Sequence, residues 1–383
     1  MVIFAMNGNA YAEDYSVVQG YMHTFNNGID VYSGVFALNK DLSLQTSSYL
    51  KYTVDLINPS FGGGGEGGGG GDDAVNGNAH ATSGASSAVS SSGSNSKDTR
   101  HGFTAGVTHN FNNIIGVEAY IDYSKEKDYK STTPTLTLKK DFNDKNTTLT
   151  AGYSRNFDTV HGQFMDNREK RNTNNYFVGL TQVISPMTVA QIGYSRSNSS
   201  GAESEGIRLV PINGVAASTC TAKGANCLAE AFPDKRTRNA YLAGVNHYFL
   251  TPGFSVLNKS SVKFNFRYYT DDWKIKSYMG ETEWSKYLSG HTLLRLDYRY
   301  YNQTKAYFQQ DNYTAADALR SASPQLKSFS SNLAGVKLTY FLKDAKGAPS
   351  FMKQGSVEGK YEFYTQSLGV NAHVLMAGLR IPF

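Results

Sequence analysis

Hydrophobic and polar residues alternate with a period of two along much of the chain. In SVEGKYEFY, residues 356–364, the odd positions hold Val, Gly, Tyr and Phe, and Glu or Lys stands between them. The same alternation returns in SYLKYTVDLI, NIIGVEAYIDYS, SVKFNFRYY, LLRLDYRYY, LAGVKLTYFL and VLMAGLRIPF. Period two is typical of a β-strand whose faces lie in different environments. The pattern therefore predicts an all-β protein.

Counting these segments predicts about 16 strands, the even number expected of an outer-membrane barrel. The candidate strands are 17–25, 29–39, 47–58, 101–111, 113–124, 133–142, 146–157, 174–184, 187–197, 237–250, 259–269, 273–287, 291–302, 332–343, 354–364 and 371–383. The first span alternates poorly. The span 273–287 is irregular enough to hold a bulge.

The connections alternate in length. The long ones, 59–100, 158–173, 198–236 and 303–331, all fall on one end of the predicted strands. A soluble β-sandwich also alternates apolar and polar residues, but its connections have no reason to alternate in this way. Tyr and Phe recur near strand ends, as in the aromatic girdles of membrane barrels. We therefore predict a transmembrane antiparallel up-and-down β-barrel with short periplasmic turns and long extracellular loops.

Composition narrows the possible partners. The formal charge of +5 is scattered along the chain, without the basic run expected of a nucleic-acid-binding protein. Mean hydropathy is −0.42, and no stretch approaches the roughly 20 apolar residues of a membrane helix. Only the strand pattern distinguishes this chain from a soluble one.

The N-terminal segment indicates export. Ala10-Tyr11-Ala12 precedes Glu13 and has the small-x-small form of a signal-peptidase site. The apolar region before it is short and lacks Lys and Arg, so the start is either assigned late or belongs to a truncated signal, and a chance Ala-x-Ala is the alternative. We predict residues 1–12 as a signal-peptide remnant and 13–383 as one barrel. Phe383 resembles the C-terminal aromatic residue by which outer-membrane barrels are recognised for assembly.

Candidate chemistry outside the strands is sparse. Cys220 and Cys227 lie close together in a polar stretch and predict a disulfide, because a zinc site would need two more ligands. The Gly/Ser-rich loop at 59–100 is expected to be mobile; the alternative, a calcium-binding repeat, requires a regular Gly/Asp period that is not there. The eight histidines are scattered and predict no metal site, no cofactor and no catalytic residue, although a hydrolase site at the rim is a third possibility.

The strand register predicts which charged side chains enter the barrel. They are Lys51, Asp55, Glu118, Asp122, Lys263, Arg267, Arg295, Asp297, Arg299, Lys337, Glu358, Lys360, Glu362 and Arg380. A barrel of this size has room for water, so such residues can set ion selectivity. For most of them, pairing across neighbouring strands is the preferred interpretation. Arg267, Arg295 and Arg299 form the best candidate for a basic patch, which favours anions mildly.

Four short segments of the chain resemble segments of a known protein family. YTVDLI at 52–57, the displaced TSGASS at 82–87, KNTTLTAGYS at 145–154 and the terminal GLRIPF resemble a family of bacterial outer-membrane proteins classed as domain of unknown function 3570. In that pattern the first two elements lie close together, whereas here the glycine run separates them. The resemblance implies a location in the outer membrane and points to extracytoplasmic redox systems, but assigns no reaction.

The sequence is therefore compatible with two alternative functions. The first is a porin-like channel for small hydrophilic solutes, with a weak preference for anions. The second is a non-conducting barrel that serves as a sheath or docking scaffold for a periplasmic or extracellular redox protein, such as a cytochrome. Both require outer-membrane lipid and the barrel-assembly machinery as partners, and the oligomeric state stays open.

Overall fold

The computed structural model describes residues 14–26, 29–59, 98–112, 114–251, 253, 256–343, 352 and 354–382. The predicted signal-peptide remnant, most of the Gly/Ser-rich loop and Phe383 lie outside the described residues.

Eighteen strands make up the described secondary structure, apart from two short 3-10 turns at Ala217–Thr219 and Pro324–Leu326. The strands are β1 Tyr15–Phe25, β2 Ile29–Ser43, β3 Thr46–Pro59, β4 Asp98–Phe111, β5 Ile115–Lys125, β6 Tyr129–Phe142, β7 Thr147–Val160, β8 Glu169–Ser185, β9 Thr188–Gly201, β10 Leu209–Pro211, β11 Cys227–Ala229, β12 Lys235–Phe249, β13 Ser260–Asp271, β14 Lys276–Tyr287, β15 Thr292–Gln303, β16 Phe329–Phe341, β17 Ser356–Gln366 and β18 Asn371–Pro382.

Sixteen of these strands close into a barrel, and β10 and β11 form a separate two-stranded sheet. Each barrel strand pairs antiparallel with its neighbours in the chain, with β9 pairing with β12, and the ring closes where β1 pairs with β18. Every predicted strand overlaps one observed barrel strand. The predicted fold class, an antiparallel up-and-down barrel, is confirmed.

The two faces of the wall differ in the way that the alternation predicts. Large apolar side chains point outward and are exposed, among them Ile192 at 61 % and Leu375 at 52 %. Polar side chains such as Thr133, Asn265 and Ser331 point inward and are buried. This is the reverse of a soluble protein, and it fits a wall whose outside meets lipid. Among the described residues, no helix is long and apolar enough to span a membrane.

The barrel has two unlike ends. At one end the strands are joined mostly by short turns, and β1 begins and β18 ends there; we call it the turn end. At the opposite end, the loop end, β3 ends and β4 begins, and the connections 202–234 and 304–328 lie there. Several strands reach further at this end than predicted: β8 begins at Glu169 and not at 174, because polar residues there continue the sheet beyond the apolar band.

Two loops at the loop end fold into one unit, which we call the cap: residues 202–234, which contain β10 and β11, and residues 304–328. Ile212 pairs with Tyr313 as a parallel bridge, and Ala231 pairs with Arg320 as an antiparallel one. Ile212 and Tyr313 are buried in a small apolar core with Val210. The cap is therefore a packed structure with its own hydrogen bonds.

The turn between β13 and β14 belongs to the same packing. Trp273 and Ile275 are buried against Phe308 and Leu326 of the cap. The prediction that a strand begins at residue 273 is wrong by three residues, since β14 begins at Lys276. The apolar signal at these positions comes from contact with the cap and not from a strand face toward lipid.

Candidate functional site

The interior wall of the barrel is the candidate functional site. All fourteen charged residues predicted to enter the barrel stand at strand positions of interior-facing parity, opposite in parity to the exposed apolar residues. They are Lys51 and Asp55 on β3, Glu118 and Asp122 on β5, Lys263 and Arg267 on β13, Arg295, Asp297 and Arg299 on β15, Lys337 on β16, Glu358, Lys360 and Glu362 on β17, and Arg380 on β18.

Many of these charges pair within the wall. Arg100 of β4 lies 3.1 Å from the Asp55 carboxylate, and Lys337 lies 2.5 Å from that of Glu358. Glu118 is paired with Lys139 of β6, and Lys360 is paired with Glu362.

Other interior groups are held by hydrogen bonds or ring contacts. Thr104 Oγ1 donates to Asp122 at 2.7 Å, and the Arg380 guanidinium stacks over the Tyr15 ring at 4.1 Å. Because neighbouring strands supply most of these contacts, they crosslink the wall and fix side-chain positions.

The predicted basic patch is divided by acidic residues. Arg267 lies on β13 and Arg295 on β15, with β14 between them. From β14, Glu283 pairs with Arg295 at 3.2 Å, and Glu281, the ladder partner of Arg299, accepts a hydrogen bond from Asn265 at 3.1 Å. The two glutamates were missed because Gly280 and Thr282, on the other face of β14, weaken its alternation.

A second set of interior arginines lies close to the loop end, where the observed strands extend past the predicted ones. Arg171 of β8 pairs with Asp158 of β7 at 3.1 Å. Arg236 of β12 pairs with Asp271 of β13 at 2.6 Å. These residues were not predicted, since the apolar positions that reveal a strand against lipid are absent at this height. Alternating polar residues beyond a strand's last apolar position are the only signal that marked them.

The cap binds to the interior side of the wall. Arg238, which points inward from β12, lies 3.3 Å from the Glu203 carboxylate. Gln303, which points inward from β15, donates to the carbonyl oxygens of Gln325 and Lys327, both at 2.7 Å. Contacts to interior side chains place the cap over the inner edge of the mouth.

The cap also extends along the rim. Its residues Glu205 and Ile207 meet the β5–β6 turn, and its second loop joins β15 to β16. Strands β5 and β15 are eight places apart in the ring of sixteen. The cap therefore follows the rim over about half of its circumference.

A small cavity of about 20 Å³ lies where the cap meets the β5–β6 turn. Its lining includes four carboxylate groups: Asp98, Glu126, Asp128 and Glu205. Burial, reinforced by the negative charge of Asp98, raises the pKa of Glu126 to about 8. Glu126 Oε2 has no hydrogen-bond partner among the described residues.

Cys220 and Cys227 are joined by a disulfide within the cap and pack against Leu209. In the part of the chain that the structure describes, no group of three or more His, Cys, Asp or Glu side chains is arranged to hold a metal ion.

Comparison with known proteins gives a family and a fold. The chain matches the family model described as "Protein of unknown function (DUF3570)" over residues 5–168 and 161–379. A search of curated proteins found no match.

Among solved structures, a bacterial polysaccharide outer membrane secretin has a TM-score of 0.50 and 9 % identity, covering 98 % of this chain and 99 % of that one. OccD3 (OpdP) of Pseudomonas aeruginosa has a TM-score of 0.45 and 7 % identity, covering 97 % of this chain and 91 % of that one. OccAB4 of Acinetobacter baumannii has a TM-score of 0.42 and 9 % identity, covering 98 % and 99 %. The likeness to the secretin concerns the fold alone.

Proposed function

We propose that this chain, which belongs to the DUF3570 family of proteins of unknown function, forms a porin-like channel in the outer membrane for small hydrophilic solutes. One observation carries the proposal: a closed ring of sixteen strands is apolar outside and charged inside. About eight strands leave an interior that side chains can fill, whereas 16 to 18 leave room for water. A charged interior of that width offers a path to hydrated solutes.

The orientation follows from the connections. In outer-membrane barrels the short turns face the periplasm and the long loops face outward. We therefore assign the cap to the extracellular side. There it narrows the mouth over half of the rim, so that solutes enter beside the cap.

We also propose that the channel has a mild preference for anions. It is supported by the arginines on β12, β13 and β15, and it is limited by Glu281 and Glu283, which lie between them. Rings of charge set selectivity most strongly where the path is narrow. Near balance between basic and acidic groups leaves only a small net effect.

Planar-bilayer recording of the purified barrel tests the proposal. We expect stable open channels and a reversal potential in a KCl gradient that indicates weak anion preference. The double variant Arg295→Glu/Arg299→Glu should shift that potential toward cation preference. Lys140→Glu/Lys276→Glu makes the same charge change on the outer face of the wall and should leave the potential near its original value.

Silence at all voltages would refute the channel. If a cytochrome or another redox protein then co-purified with the silent barrel, the function as a sheath or docking scaffold would replace it. Equal shifts in the two double variants would refute the assignment of Arg295 and Arg299 to the conduction path.

A further inference from the structure

The outer surface of the barrel carries a one-sided band of positive charge. Six consecutive strands of the ring, β5 to β9 and β12, each present one exposed basic residue on the outward side, in the half of the strand that is closer to the loop end. These residues, which we call the basic band, are Lys125, Lys130, Arg155, Lys170, Arg196 and Lys235. On the other ten strands, Lys276 is the one Lys or Arg in the equivalent place among the described residues.

The six strands themselves carry no acidic residue on the face that holds the band. Within the described bounds of these six strands, the outward positions hold no Asp or Glu, and no described carboxylate forms an ion pair with any of the six residues. Lys125 and Lys130 are direct ladder partners. Like charges placed directly opposite each other in a sheet repel, so an external anion would stabilise this surface.

The band lies at the upper edge of the aromatic girdle. Lys130 is 5.6 Å from the centre of the Tyr123 ring, and Arg155 is 5.0 Å from that of Phe157. Directly beside the band, the Tyr153 hydroxyl donates to Asn174 at 2.9 Å. Such girdles mark the boundary between hydrocarbon and headgroups. The basic groups are therefore at headgroup height, and their stems lie along apolar rings.

We propose that the basic band binds the phosphate groups of an anionic lipid in the outer leaflet, of the lipid A type. Lys supplies point charges and Arg supplies a planar fork that matches phosphate oxygens. The outer ends of six adjacent strands form a broad surface, which suits a wide, multiply acylated lipid with separated phosphates. This inference rests on the proposed outer-membrane location and does not depend on conduction.

Titration of lipid A onto the detergent-purified full chain, followed by native mass spectrometry, tests the inference. Lipid A with both phosphates is compared with the same lipid after removal of the phosphates. The triple variant Lys130→Gln/Arg155→Gln/Arg196→Gln should lower affinity for the phosphorylated lipid by roughly a hundredfold, at about 1 kcal/mol per basic residue. Lys140→Gln/Lys276→Gln/Lys286→Gln, which removes three outward basic residues outside the band, should bind like the original chain.

Two results would overturn the inference: equal binding of the two lipids by the original chain, or equal losses in the two triple variants. Heat-modifiable migration in gels shows that each variant is folded before it is titrated. Since the assay needs no current, a silent channel that still binds phosphorylated lipid A would refute the proposed function alone. A conducting channel without phosphate-dependent binding would refute this inference alone.

Discussion

Arg238 of the wall and Glu203 of the cap form an ion pair at 3.3 Å, and the Glu203 side chain is only 2 % exposed. The pair joins two parts of the molecule that are otherwise built independently, a strand of the barrel and a loop that covers its mouth. Because one partner is buried, its charge depends on the other for compensation.

Arg238→Ala should release this edge of the cap, since it leaves the buried Glu203 carboxylate without that guanidinium. We expect the local opening free energy of residues 202–212 to fall by about 3 kcal/mol, and the channel conductance to rise. Hydrogen exchange of the cap amides measures the first effect. Lys223→Ala removes a cap ion pair whose Asp166 partner is 87 % exposed; it should change exchange by less than about 1 kcal/mol. Similar effects of the two variants would contradict this role of the buried pair.

The disulfide between Cys220 and Cys227 closes a short loop that contains Lys223. Cys220→Ser/Cys227→Ser should destabilise this part of the cap by roughly 2–3 kcal/mol through the greater freedom of the open chain. Trypsin cleavage after Lys223 should then become faster, while the heat-modifiable migration of the barrel stays unchanged. A cleavage rate equal to that of the oxidised chain would show that cap packing alone protects the loop.

Protonation of Glu126 should control the junction between the β5–β6 turn and the cap. Burial raises the pKa of Glu126 from its ordinary value of 4.5 to about 8. The stabilisation of this junction by the protonated Glu126 side chain is therefore complete below pH 4.5 and is lost as the pH rises through about 8. The protection factors of amides 126–128, which are corrected for the intrinsic base-catalysed rise of exchange with pH, should fall over that range, and Glu126→Gln should remove this fall. Asp166→Asn, at an exposed carboxylate, should keep it; a flat profile in the original chain would contradict the prediction.

The interior wall depends on glycine where an aromatic ring lies on the backbone. A Cβ at Gly106 would lie 2.1 Å from Tyr120 Cδ1 and 2.9 Å from its Cγ, so the whole ring would have to move. Gly106→Ala should therefore destabilise the barrel by about 1–3 kcal/mol. Gly20→Ala is the matched control, because nothing lies within 4 Å of its added Cβ. Urea unfolding in detergent, followed by the gel shift, compares the midpoints, and equal midpoints would refute the packing argument.

The chain pattern determined the strands, their antiparallel order and which residues face inward. Successive residues of a strand point to opposite faces of the wall, and the outer face favours apolar side chains whereas the interior favours polar ones. Each strand therefore shows an alternation with a period of two in its own sequence. Even β17, with three interior charges, could be placed without any knowledge of its neighbours. Where that contrast fades, as in residues 169–173 of β8, the strand was predicted too short.

Only the tertiary structure decided how the interior charges pair and where the long loops go. Arg295 meets Glu283, and Arg238 meets Glu203, through contacts set by strand pairing and loop packing. The cap joins residues about a hundred positions apart, such as Ile212 and Tyr313, and no local period accompanies such contacts. Periodicity reports the surroundings of one strand, whereas pairing and loop folding depend on which distant residues the closed ring brings together.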